Sequence, residues 1–308
     1  MMRSAALPDY LFKQGASVPL APGPAEDEML AAVVGSGMAH VEVTYRPACD
    51  ETPWQAKLRT TLHDAGVNIN TVHAPFGSAV DISSDDTAVR STGVAIVEAS
   101  VRYAAGVGAD IVVVHGSMEP IPPADRARRE SQARESLAGL CACAGDAGLR
   151  IAVELLPRTC LGNTPEGLRR LLDGIPAEQA GFCLDTNHLT PPWMSAVRAD
   201  SDAERALVDN LGGDLVYPSL LPGVVRTLAD RLITLHVSDY NGIDERHWLP
   251  FDGVIDWAAF ANALAEVGFA GAFVYETRFI PDGLADQLAA ARENYDRILD
   301  AARAAIAV

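Results

Sequence analysis

The chain is poor in positive charge: 24 Lys and Arg stand against 41 Asp and Glu, a formal net charge of −17. Tight, sequence-independent binding to a phosphate backbone needs clustered cations, so nucleic acid is disfavoured as a partner, although bound cations can override the field locally. Long apolar runs are missing too. Every run is far short of the roughly 18–20 residues of a membrane span, and the stretch from Met1 to Ala21 has no basic segment, long apolar run and cleavage pattern in succession. Neither a membrane span nor a signal peptide is expected. Cysteine is scarce, five residues with no CxxC spacing, which excludes a disulfide scaffold and fits a reducing, cytoplasmic setting. Cys141 and Cys143, two apart on a helical stretch, point to different faces and do not make a metal clip. No low-complexity linker or composition break marks a second domain.

What is present is ample core material, 49% apolar over 308 residues. Eight short β-branched runs recur along the chain: Ala16–Leu20, His40–Tyr45, Asn68–His73, Ile111–His115, Ile151–Leu155, Gly181–Asp185, Leu232–Val237 and Ala272–Glu276. Several are apolar throughout, as parallel strands buried on both faces are. Helical patterns separate them. One opens at Thr164-Pro165, a cap followed by a good first helical residue, and the last carries Leu284, Leu288, Tyr295, Ile298, Leu299, Ala302 and Ile306 on one stripe. Eight strand–helix units in about 300 residues predict an α/β fold, a single-domain (β/α)8 TIM barrel over 1–308. A dinucleotide-binding open sheet would often show a GxGxxG turn after its first strand, and none is present. From His188 to about Arg231 the chain is too long and too rich in Pro and Gly for one plain helix, so a long βα loop is expected at about 189–230.

Six of the eight strands end in a histidine or carboxylate: His73, His115, Glu154, Asp185, His236 and Glu276. Successive members lie about 30 to 50 residues apart, one βα unit each, so a barrel gathers all six at its C-terminal mouth. Three carboxylates in one mouth repel and lose hydration unless a cation is present. Histidine with carboxylate, without thiolate, suits Mn2+, Co2+, Zn2+ or Mg2+. His188, three after Asp185, and Asp239, three after His236, reach the same mouth, with Asp244 and His247 a little further on. Cys183, two before Asp185, lies deeper and reads as core. Arg158 and Arg278, just beyond strand ends, are candidates for binding a substrate hydroxyl, carboxylate or phosphate. Phe76, Trp193 and Trp248, near the expected mouth, are candidates for stacking on a ring of a bound small molecule. Glu42, within the second strand, is either a rim acceptor or a structural residue.

The ordered segments Val153-Glu154-Leu155-Leu156-Pro157, Leu184-Asp185-Thr186-Asn187-His188, Leu235-His236-Val237-Ser238-Asp239 and Val274-Tyr275-Glu276-Thr277 resemble the motifs of the xylose isomerase-like TIM-barrel superfamily. That superfamily holds sugar isomerases and epimerases, inosose dehydratase and type IV AP endonucleases. Asp244 to Pro250, followed by Gly253-Val254-Ile255-Asp256-Trp257, resembles a further family stretch, with its glycine displaced by Phe251-Asp252. The resemblance implies metal ligands Glu154, Asp185, His236 and Glu276. It also implies catalysis by Glu154 and Glu276, one of the two removing a proton and the other returning it about a metal-stabilised enediolate, with His188 on the substrate oxygen. His73, His115, Asp244 and His247 are the candidates for a second metal or for substrate, and Arg158, Arg278 and Trp248 for substrate binding. Arg246 stands where the endonuclease pattern has a histidine ligand, which turns the expectation toward a metal-dependent isomerase or epimerase of a small sugar or polyol. An inosose dehydratase-like lyase and a zinc AP endonuclease-like phosphodiesterase are the alternatives. Homo-oligomerisation is left open.

Overall fold

A computed structural model describes residues 12–50, 52–189, 219–242 and 244–306. Eight parallel strands close into a barrel in chain order: β1 (Lys13–Val18), β2 (His40–Thr44), β3 (Asn68–His73), β4 (Ile111–Val114), β5 (Arg150–Glu154), β6 (Ala180–Asp185), β7 (Leu232–Val237) and β8 (Ala272–Tyr275). The helices are α1 (Glu26–Ser36), α2 (Thr52–Asp64), α3 (Thr87–Val107), α4 (Arg126–Asp146), α5 (Pro165–Leu171), α6 (Leu221–Leu228), α7 (Trp257–Glu266) and α8 (Leu284–Ile306). The barrel expected from the strand count is the one observed. Strand β1 starts three residues before its expected position. Residues 190–218 of the expected long loop, with Trp193, lie outside the described residues; its last part is helix α6 rather than loop. Among the described residues no helix is long and apolar enough to cross a membrane.

Local chemistry sets the helix starts. Asp86 accepts hydrogen bonds from the Ala88 and Val89 amides, Thr164 from Gly167 ahead of Pro165, and Asp256 from Ala259, each using amides that lack a partner within the helix. The large apolar core lies between sheet and helices, with Leu58, Val101, Leu137, Phe182, Phe260, Phe273 and Leu288 fully buried. Inside the barrel is a much smaller cluster, Ile111, Val113, Ala152 and Cys183. Strand alternation explains what sits above it: Val113, Ala152 and Cys183 face inward, so the residues two further on, His115, Glu154 and Asp185, face inward at the mouth.

Two register shifts interrupt the ladders, at Val41/Glu42 against β3 and at Phe182/Cys183 against β7. Both lie beside residues whose side chains enter the barrel, where such irregularities re-aim side chains. Four non-glycine residues have positive φ: Arg158 (50°), His247 (52°), Phe251 (75°) and Arg278 (55°). All four are on connections following the C-terminal ends of β5, β7 and β8.

Candidate metal centre

Glu154, 1% exposed, is the hub of the mouth. Its Oε2 faces His115 Nε2 at 3.1 Å and His73 Nε2 at 3.3 Å; its Oε1 faces His188 Nδ1 at 3.2 Å and His236 Nδ1 at 3.5 Å. Ligand-type atoms of Glu154, Asp185, His236 and Glu276 all lie within 4.8 Å of one another. Three of those atoms, Asp185 Oδ2, His236 Nδ1 and Glu276 Oε2, are buried without a hydrogen-bond partner. Buried polar atoms are ordinarily paired, so orphans converging on one point mark a place for a cation. The donor set, one imidazole nitrogen and three carboxylates, is that of a borderline or hard divalent ion. Cys183 also approaches Glu154 and His236, but burial holds its thiol far above the ordinary value and so in the neutral, weakly ligating form.

The backbone and neighbouring side chains orient these ligands. Asp185 Oδ1 accepts from the Asn187 amide at 2.7 Å, leaving Oδ2 for the centre. His236 Nε2 lies 2.9 Å from Glu42 Oε2, an acceptor, so this nitrogen donates to Glu42 and Nδ1 is the one left for a cation. Glu42 Oε2 also accepts from Thr71 Oγ1 at 2.8 Å. Three more histidines donate from Nδ1 to carbonyl oxygens: His73 to that of Ala74 (2.7 Å), His188 to that of Leu155 (2.9 Å) and His247 to that of Glu276 (2.8 Å). Each keeps Nε2 for the mouth.

Burial and charge set the protonation states. Burial raises Glu154, but His115 and His236 outweigh it and hold the carboxyl well below its usual range. Burial pushes Glu276 up to about 7, against the pull of His236 and with repulsion from Asp185 added, although 23% of its side chain remains exposed. Asp185 is raised to about 6 by burial despite His188. Burial lowers His73 and His188, but the surrounding carboxylates overcome it and carry them to about 9 and about 10. His115 is lowered, chiefly by burial.

The residues expected from sequence are placed unequally. His73, His115 and Glu154 form one close group, the four core residues a second, and His188, Glu245 and His247 a third. Glu245 escaped the sequence reading, which named its neighbour Asp244. Asp244 Oδ1 instead accepts from Arg158 Nη1 at 3.1 Å, and Asp244 belongs to none of these groups. Arg158 lines the mouth but is buried and paired with Glu119 at 2.6 Å and Glu245 at 2.7 Å, so its charge is met by the protein itself. Arg278 and Phe76 line the cavity, whose volume is about 470 Å³. Trp248 does not; the Arg246 guanidinium lies over its ring. Asp239, expected at the mouth, is a structural hub. It is fully buried and accepts from the amides of Tyr240, Phe251 and Ile255 and from Trp257 Nε1 at 2.8–3.2 Å. A Cβ at Gly253 would collide with Asp239 Oδ1 and the Tyr240 carbonyl, which is why glycine stands there.

A family model described as the xylose isomerase-like TIM barrel matches residues 30–300. An uncharacterised protein of Methanocaldococcus jannaschii is 26% identical over 216 residues, 69% of this chain and 66% of that one. Another, from Sinorhizobium fredii, is 29% identical over 129 residues, 42% of this chain and 33% of its own length. The fold is shared with solved structures of a D-tagatose 3-epimerase-like protein (TM-score 0.73, 20% identity, 96% of this chain and 100% of that one) and an L-ribulose 3-epimerase (0.72, 19%, 96% and 97%). It is also shared with a 3-keto-D-glucoside 4-epimerase from E. coli (0.66, 18%, 93% and 98%).

Proposed function

Because the chain belongs to the xylose isomerase-like TIM barrel family, we propose that it is a divalent-metal-dependent isomerase or epimerase of a small sugar or polyol derivative. The observation that carries this reading is the convergence of orphaned Asp185, His236 and Glu276 atoms beside the ionised Glu154 at the mouth of the barrel. Epimerases acting on ketoses and on a keto-glucoside share the fold, which supports the substrate class. A Mn2+, Co2+, Zn2+ or Mg2+ ion held by Glu154, Asp185, His236 and Glu276 would supply Lewis-acid stabilisation of negative charge on two adjacent substrate oxygens.

The residues divide the proton work. Glu154, kept ionised by His115 and His236, is the acceptor for the weakly acidic C–H beside a carbonyl. Glu276, at the end of β8, would be the group that returns a proton from the other side. His188, its Nδ1 fixed by Leu155, has Nε2 for a hydrogen bond to a substrate oxygen. His73 and His115, both facing Glu154 Oε2, offer a second cation position.

The test is solvent-hydrogen exchange by the metal-loaded protein in D2O over a panel of ketoses and inososes. Deuterium is expected at the carbon beside the carbonyl, with Glu154→Gln and Glu276→Gln slowing exchange by about 100-fold or more. Exchange by both variants at the wild-type rate would refute the assignment.

One observation favours a second reading. His188, Glu245 and His247 form a third ligand group despite Arg246, so three cation positions can be drawn, as in a phosphodiesterase of abasic DNA. Against it, Arg158 already pairs with Glu245, and the chain carries a net charge of −17. Three metals per chain with cleavage of an abasic oligonucleotide would establish this reading over the first.

A further inference from the structure

The mouth has two unlike walls. On the side following β4, β5 and β7, Arg158 is enclosed by Glu119, Asp244 and Glu245, so this wall is acidic. On the other side β2 and β8 flank β1, and the chain beyond their ends contributes Arg46 and Arg278 to the lining of the same cavity. Both arginines are exposed, and neither has an ion pair or side-chain hydrogen bond among the described residues. Arg128, Arg129, Arg169, Arg170 and Arg226, by contrast, each hold a carboxylate.

Position adds to the argument. Arg278 is two residues beyond Glu276, so its Cα lies within about 7 Å of that ligand's Cα along the chain. Arg278 also keeps a φ of 55°, a conformation costly for a side chain with a Cβ. Two guanidinium groups on one wall, facing a cavity of about 470 Å³ and opposed by an acidic wall, are arranged for an anion. Exposed charges are screened beyond about 8 Å at physiological salt, so the carboxylates of the outer surface do not cancel these two at this point.

We infer that the substrate carries a phosphate or carboxylate at the end remote from the reacting carbon, and that Arg46 and Arg278 bind it. This rests on the sugar-isomerase reading of the centre; it adds the substrate's charge and its direction in the pocket. The anionic end lies on the β8–β1–β2 wall, and the acidic wall repels the reverse orientation.

The experiment compares three matched probes with the metal-loaded protein: a ketohexose, its 6-phosphate and the corresponding keto-uronate. Binding is measured by calorimetry and C–H exchange in D2O. The expected result is at least tenfold tighter binding and a tenfold higher kcat/KM for one anionic probe than for the neutral sugar, the better of the two identifying the anion. Arg46→Gln and Arg278→Gln are each expected to bring that ratio toward one by raising KM, while Arg102→Gln, at an exposed arginine of α3 away from the cavity lining, leaves the ratio unchanged. Equal or tighter binding of the neutral ketose overturns the inference while leaving the sugar reading intact. Absence of exchange with every probe defeats the sugar reading instead, and the calorimetric comparison still decides the charge preference.

Discussion

Glu42 shows how much a single side chain does at this centre. It touches no mouth cavity, yet its contact with His236 Nε2 decides which imidazole nitrogen is left for a cation. Burial raises the Glu42 carboxyl, but His236 outweighs that and draws it to about 2, so the pair is charge-assisted. Replacing Glu42→Gln keeps the shape and removes the charge. Metal affinity, measured by competition with a chelating dye, should fall about 10- to 100-fold, and the pH dependence of binding should move as His236 loses its partner; unchanged affinity would show that the pair is only structural. Sequence reading left Glu42 undecided because a mid-strand carboxylate has no signature, and the register shift that aims it inward is not encoded in any motif. The strand-end residues were readable for the opposite reason: period-two alternation and the barrel's geometry bring such residues to one mouth. Glu245 was missed because only the loop's path decides whether it or Asp244 faces His188.

At the scale of elements, the connection after β7 carries Glu245 and His247 and is anchored from behind by Asp239. Four donors meet that one carboxylate. Asp239→Ala would strand all four, costing about 3 kcal/mol or more, and should lower both the unfolding midpoint in urea and the turnover; a variant as stable as wild type would remove Asp239 from this role. The strands themselves were legible from apolar runs, which report burial on both faces. Strand β1 was displaced because it opens Lys13-Gln14-Gly15, with no apolar signal, and Gln14 is buried by donating to the Ala291 carbonyl. The register shifts were invisible, since a bulge changes no composition.

For the whole molecule, the cluster ties stability to pH. His73 and His188 titrate at about 9 and about 10, above their ordinary value, so their contribution is full below about pH 6.5 and lost as pH rises through those values. Asp185 and Glu276, raised to about 6 and about 7, also make the folded state hold extra protons, and stability falls as pH rises toward those values. Glu42 and Glu154 are lowered, and their contribution is lost as pH falls below about 4.5. Chelator-treated protein should therefore be most stable near pH 5 and lose about 5 °C or more in melting temperature between about pH 6 and pH 9. Divalent metal should offset the loss, and most strongly at the alkaline end, because ligands must give up protons to bind it. A metal-free melting temperature that climbs over this range would contradict the charge assignments.

The left-handed backbone at Arg158, His247, Phe251 and Arg278 has a consequence for how such a protein evolves. Glycine adopts that conformation without strain, so at Arg278, exposed and without an ion pair among the described residues, a glycine would ease the local backbone at the expense of the rim. Heat resistance alone would therefore favour erasing this one arginine of the cavity lining, whereas the buried Arg158 is held in place by the three carboxylates around it.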